Sequence, residues 1–264
     1  MQLIPSDDGV TIAVETFGDG PALIFAHGLT SHRRMTRMEL EPLAERHRIV
    51  LFDQRGHGGS TPVTDPALYT AERMAGDLRA VLDALDIGQA IVGGESMGAA
   101  TALAFALAQP QRVAALLLTA PAFGDTPNPD SPRMTELGRS LAQLGMPAFL
   151  ASAAERQRTQ FNWPPELVRF VAELFVAHDA GSLATALQTV PLWQPLADMT
   201  ALAELNCPTC IVAWEGDPVH PIELARRMAA ALPRATLQTM APLPALFLDP
   251  PEIGRRYARY LETL

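Results

Sequence analysis

The chain has 264 residues, 48% of them hydrophobic, and a formal net charge of -9. All 20 basic side chains are Arg and none is Lys, which excludes Schiff-base chemistry on a lysine amine and the lysine of a phosphate-binding P-loop. The acidic balance argues against nucleic acid and anionic membranes as partners, and the length suits one large α/β domain or such a domain with an insertion.

The stretch Met1 to Gly9 has neither a basic region nor an apolar one, so no signal peptide is expected and a cytoplasmic location is the default. Residues 11–17 alternate apolar and polar and end at Gly18-Asp19-Gly20-Pro21, the pattern of a strand and turn. Residues 22–26, 49–52, 90–94, 113–119, 209–214 and 235–239 are short apolar or β-branched runs, most of them continuous, as in strands covered on both faces. Helical patterns lie between them. Over 71–85 the apolar positions Met74, Leu78, Val81, Leu82 and Leu85 share one stripe. Residues 97–108 are Ala and Leu nearly all round, which predicts a helix buried on several sides. Residues 221–232 and 252–264 read as further helices. Strands alternating with helices predict an α/β fold with a doubly wound, mostly parallel sheet.

One stretch breaks the alternation. A Pro- and Asp-rich loop over 120–132 leads into helical patterns that run to about Ala203, interrupted at Pro147, Pro164-Pro165 and Pro191. The expected organisation is therefore a core of residues 1–122 and 204–264 with a helical lid, 123–203, inserted between two strands. Cys207 and Cys210 have the spacing of a redox pair, but they open a β-branched apolar run rather than a helix, which favours plain strand residues. Neither a metal site nor a cofactor is expected, and the implied partner is a small molecule.

The chemistry concentrates in Gly94-Glu95-Ser96-Met97-Gly98. This is G-x-S-x-G between an apolar strand and an Ala-rich helix, the setting in which a serine is presented on a strained turn at the carboxyl end of a sheet. Phe25-Ala26-His27-Gly28-Leu29-Thr30 follows the first buried strand. A loop there can aim the N–H of Leu29 into the same pocket as that of Met97, which gives an oxyanion hole. His27 reads as a brace for its loop. Asp53-Gln54-Arg55-Gly56-His57-Gly58-Gly59 fails the dinucleotide pattern at Thr61 and reads as a tight structural turn.

With Asp217-Pro218-Val219, these motifs stand in the order of the α/β-hydrolase superfamily, and they resemble its esterase, lactonase and C–C hydrolase branch. The resemblance implies an eight-stranded sheet with a helical cap and acyl transfer at Ser96. It implies Leu29 and Met97 as oxyanion-hole residues and Asp217 as the triad acid, with Asp125 as an alternative acid.

The family's general base is a His on the loop after the last strand. Here Pro244 aligns with that position, and no His occurs after His220. Loss of the base from a serine hydrolase can cost about a millionfold in kcat. His220, three residues beyond Asp217, is the foremost replacement, with His178 of the lid as a second. Glu95 is expected to point away from the serine, although a carboxylate there can tune the site. The lid aromatics Trp163 and Trp193 are candidate substrate contacts; packing is the alternative reading for such side chains. Arg33 and Arg34 can meet a substrate carboxylate or be solvated. The sequence thus points to a serine acyl hydrolase for a small apolar ester, lactone or related carbonyl compound, with a non-standard base. Two alternatives stay open: a lyase, isomerase or cyclase using the oxyanion hole, and an inactive ligand-binding protein.

Overall fold

The computed structural model describes residues 1–240 and 249–264. Eight strands form one sheet: β1 Gln2–Pro5, β2 Thr11–Phe17, β3 Ala22–Ala26, β4 Arg48–Phe52, β5 Ala90–Glu95, β6 Val113–Thr119, β7 Thr209–Trp214 and β8 Ala235–Met240. The spatial order is β1-β2-β4-β3-β5-β6-β7-β8, antiparallel at β1/β2 and β2/β4 and parallel from β4 onward. The strand the sequence patterns did not single out is β1. It is short and at the sheet edge, Ile4 is its one buried residue, and Pro5 ends it where a missing N–H does no harm.

The helices are α1 Arg33–Leu40, α2 Ala71–Ala84, α3 Met97–Ala108, α4 Ser131–Thr159, α5 Pro165–Val176, α6 Ala180–Thr189, α7 Ile222–Ala231 and α8 Glu252–Leu261. The parallel strands carry apolar cores on both faces. One joins Ile24, Val50, Val92 and Leu118 to α2, α3 and α7; the other joins Phe25, Leu51, Leu117 and Val212 to Leu40 of α1 and to Ile253 and Tyr257 of α8. Continuous burial explains why these strands read as unbroken apolar runs. The Ala-rich sequence of α3 follows from close packing. A Cβ at Gly98 would sit 2.0 Å from the carbonyl oxygen of Ala26 on β3.

All of α4, α5 and α6 lie between β6 and β7. The long α4 is two helices joined at Gly145, whose φ of 71° breaks the helical path just before Pro147. These inserted helices, which occupy the place of the expected lid, join the core through apolar residues such as Leu183 and Leu187 and through polar contacts. Ser182 Oγ accepts from Val63 N–H at 2.9 Å, and the Tyr69 hydroxyl donates to Val63 O at 2.9 Å and lies 3.2 Å from Ser182 O. Among the described residues no single helix is long and apolar enough to cross a membrane.

Both cysteines are free thiols; Cys210 is buried on β7, and burial pushes its thiol up to about 12. The loop after β4 is a polar brace. Asp53 accepts from the N–H groups of Arg33 and Gly59 and pairs with the Arg33 guanidinium. Arg55 makes a fork of two bonds to Asp77, at 2.7 and 2.8 Å, beneath the surface. The carboxylate of Asp53 fills the space a Cβ at Gly58 would need, and Gly58 has φ +51°, so this turn requires glycine for both reasons.

Candidate active site

Ser96 lies between β5 and α3 with φ 53° and ψ -107°, a conformation that costs a non-glycine residue about 1–3 kcal/mol. The surroundings enforce it. Ser96 N–H donates to Thr119 O at 3.0 Å, which extends the β5/β6 pairing by one residue. Strand and helix then approach so closely that a Cβ on Gly94 would fall 2.0 Å from Gly98 O. The two glycines of the motif permit the contact, and the contact holds the turn.

The serine meets an imidazole. Its Oγ lies 2.9 Å from His220 Nε2, and His220 Nδ1 lies 2.8 Å from Asp217 Oδ2. A carboxylate only accepts, so Nδ1 carries the proton and Nε2 presents its lone pair to the Ser96 hydroxyl. Asp217 is itself held at several points. Trp214 Nε1–H donates to Oδ2 at 3.0 Å, and the N–H groups of Val219 and His220 donate to Oδ1 at 2.9 and 3.3 Å. Burial alone would raise this carboxyl. The His220 contact and these donors outweigh burial and hold it well below the usual carboxylate range. The same turn fixes His220, whose ring packs edge-on against Trp214 at 6.0 Å between centroids.

A residue that pattern reading passed over ties this loop down. Asn128 is buried, and its Nδ2 donates to Ala122 O and to Val219 O, both at 2.8 Å. It thereby joins the loop after β6 to the one carrying His220. The only sequence signal is an Asn inside a Pro/Asp loop, which looks like ordinary turn chemistry.

Leu29 and Met97 flank the serine from two directions. Met97 opens α3, so its N–H belongs to the first turn, whose donors have no partner inside the helix, at the positive end of the helix dipole. Leu29 follows β3 in a turn closed by Ser31 N–H to Gly28 O, and its own carbonyl is held 2.8 Å from His57 Nε2. His27 is a brace, as its loop position suggested: Nε2 accepts from Gln54 N–H at 2.9 Å, so Nδ1–H faces Gly28 O at 2.8 Å. Ser31 Oγ, beside the serine chamber, is buried without a partner among the described residues.

Other expectations land elsewhere. Glu95 does not turn away. It borders the chamber beside Ser96 and His220, and its carboxyl is raised by burial and partly lowered by the facing imidazole. Asp125 pairs with Arg227 at 2.6 Å and is not joined to the imidazole. His178 lies under the lid, where Nδ1 accepts from Gly58 N–H at 3.1 Å and Nε2 lies 3.4 Å from Thr30 O, so it braces the lid instead of facing Ser96. Arg33 is buried against Asp53, whereas Arg34 is exposed. Trp193 is not brought to the chamber: it is buried against Phe123, and its Nε1–H donates to Tyr69 O at 3.0 Å. Trp163 lies on a separate groove in the lid. Pro244 lies outside the described residues.

The chamber itself holds about 230 Å³ and is walled by Gly28, Leu29, Ser31, Glu95, Leu137 and Phe175 around Ser96 and His220. No group of three or more His, Cys, Asp or Glu side chains suited to a metal ion occurs among the described residues. Such a chamber has room for a small carbonyl group against Oγ.

Comparison with known proteins agrees with this architecture. The sequence model of the alpha/beta hydrolase fold matches residues 21–245. A putative carbamate hydrolase, RutD, from Pseudomonas syringae is 28% identical over 226 residues, covering 83% of this chain and 84% of that protein. A 3-oxoadipate enol-lactonase from Acinetobacter baylyi is 25% identical over 242 residues, covering 88% and 85%. Among solved structures, an esterase from Thermogutta terrifontis superposes with a TM-score of 0.81 at 23% identity, covering 99% of this chain and 98% of that one. The enol-lactonase of Burkholderia xenovorans gives 0.82 at 19% identity, covering 99% and 100%. With its elbow, its sheet order and a match over most of its length, this chain belongs to the alpha/beta hydrolase fold family.

Proposed function

We propose that this protein is a serine acyl hydrolase for an ester, lactone or related carbonyl compound, in which His220 serves as general base from the same turn as its acid, Asp217. The observation that carries the reading is the unbroken run Ser96 Oγ, His220 Nε2, His220 Nδ1, Asp217 Oδ2, with both contacts below 3 Å. Relatives named as a carbamate hydrolase and an enol-lactonase support the reaction class.

The chemistry follows from the geometry. As Oγ attacks the carbonyl carbon, its proton passes to Nε2, and the imidazolium is balanced by the Asp217 carboxylate. The carbonyl oxygen gains charge and is met by the N–H groups of Leu29 and Met97, each such donor being worth about 2.7–4 kcal/mol. Nε2–H then protonates the leaving group, an acyl-enzyme forms on Ser96, and a water activated by Nε2 releases the acid. Lack of a later histidine had made a non-hydrolytic or an inactive protein credible. With an imidazole in hydrogen-bond reach of Ser96, hydrolysis is the better-supported reading.

The test is covalent labelling. A fluorophosphonate should phosphonylate Ser96 stoichiometrically in the wild type, with loss of fluoride, and far more slowly in His220→Ala. Equal labelling of the two proteins, or an inert wild type, overturns the proposal.

A further inference from the structure

The serine chamber is too small for its lid. At about 230 Å³ it falls below the roughly 300–1,000 Å³ usual for ligand pockets. A second cavity of about 580 Å³ lies between α4 and α5, and Arg133, Leu137 and Phe175 border both spaces. Apolar side chains make up most of the wall of the second, Phe149, Ala153, Trp163, Val168 and Ala172 among them, and Arg156, Gln157 and Gln160 border it as well. Among the described residues no Asp or Glu borders it. Phe161 on its wall is 62% exposed, and the three shared residues set this groove directly beside the serine chamber.

We propose that this groove is the binding site for the tail of the substrate, and that the substrate is an ester or related acyl compound with a linear apolar chain of about eight to twelve carbons. Its carbonyl sits at Ser96 and its chain passes Leu137 and Phe175 to lie between α4 and α5. The inference rests on the acyl-hydrolase reading above and goes beyond it, since that reading asks only for an ester, lactone or related carbonyl compound. Three observations select this occupant. The groove shares three wall residues with the chamber that holds Ser96. The absence of carboxylates and the alanines along both helices suit a slender apolar chain. Arg133 stands where the two spaces meet, and its guanidinium is already engaged by both oxygens of Asp130; the other bordering arginine, Arg156, is an exposed residue of α4.

The energetic consequence is a chain-length dependence. Each methylene taken fully from water raises kcat/KM about fourfold when its burial is retained in the transition state. The groove is partly open, so the gain per carbon is smaller.

The experiment measures kcat/KM for p-nitrophenyl acetate, butyrate, octanoate, decanoate and dodecanoate, all below their micelle-forming concentrations. We expect octanoate or decanoate to exceed acetate by at least about 30-fold. Filling the groove from either wall, with Ala172→Trp on α5 or Ala153→Trp on α4, should lower the octanoate-to-acetate ratio at least tenfold. Two variants on different helices guard against one that does not fold, and thermal melting identifies such a case. Turnover of acetate with a flat or falling chain-length profile overturns the tail site and leaves the hydrolase reading standing. The same holds if both folded variants keep the wild-type ratio. A flat profile together with a dimer in size exclusion, dissociated by Phe161→Ser, assigns the groove to a second copy and also overturns the proposal. Failure to turn over any ester, with no fluorophosphonate labelling, sinks the hydrolase reading itself.

Discussion

The elbow at Ser96 and the turn from Trp214 to His220 deliver the two partners of one hydrogen bond by different physical means. The elbow is set by backbone packing. Glycines at 94 and 98 let β5, α3 and β3 approach until no Cβ fits, and the serine accepts a positive φ because its surroundings leave no other path. The turn is set by one carboxylate. Asp217 gathers the Trp214 indole, two backbone N–H groups and the His220 ring within a few residues of itself. A packed elbow can occupy only one place in a sheet. A local carboxylate network can carry its histidine wherever the loop reaches. This difference explains how a chain without the family's usual histidine still brings an imidazole to the serine.

The two regions should therefore fail differently. His220→Ala is expected to lower kcat on an activated ester by up to about a millionfold, while shifting Tm by no more than about 2 °C. A change of less than tenfold would show that another group acts as the base. Gly98→Ala attacks the packed region. Its methyl has no space against Ala26 O, so a stability loss of about 3 kcal/mol or more is expected, near 6–12 °C in Tm, or no folded protein at all. A Gly98→Ala enzyme with unchanged Tm and rate would undo the packing argument.

Asn128→Ala probes the turn from outside. Removing its bond to Val219 O keeps Ser96, His220 and Asp217 but loosens the loop that carries the last two. Misplacement of about 1 Å costs on the order of 100-fold in rate, so a fall of about 10- to 100-fold in kcat with little change in KM is expected. Loss of binding without loss of kcat would assign Asn128 to the lid instead.

The smallest effect concerns lid and core. His178 is neutral beneath the lid, with burial first and the neighbouring His57 second pulling it down to about 3 from an ordinary value near 6.5. A group depressed on folding contributes its full share above the unfolded value and loses it as pH falls toward the folded one. Lid docking should therefore weaken progressively between pH 6.5 and 3, by about 5 kcal/mol at most. Limited proteolysis across 123–203 should accelerate as pH falls from 7 to 4.5 in the wild type. His178→Gln, which keeps an acceptor for Gly58 N–H, should flatten that response. Equal acid sensitivity in both proteins would remove His178 from the account.

Much of the architecture was legible because it depends on short-range pattern. Continuous apolar runs mark strands covered on both faces, and the resemblance of G-x-S-x-G with its neighbours implied the eight-stranded sheet. The weak points were those where neighbours in space, not in sequence, decide. The edge strand β1 offers too few apolar residues to register. Trp193 and Trp163 look alike in sequence, yet one is packed in the core and the other borders the lid groove. Glu95 was expected to face away, but the strained turn after β5 leaves it on the chamber wall.

The sequence by itself determined that a serine stands at the end of β5 on a glycine-bounded turn, because the chemistry of that turn is written in five consecutive residues. It also determined that any imidazole serving it must come from position 220 or earlier. Which histidine lies beside the serine was decided only by the tertiary structure. Ser96 and His220 are 124 positions apart, and their 2.9 Å contact exists because the parallel order β5-β6-β7 brings the carboxyl ends of β5 and β7 to the same rim of the sheet. Asp217 then turns the imidazole toward the serine, using bonds whose lengths no spacing in the sequence records.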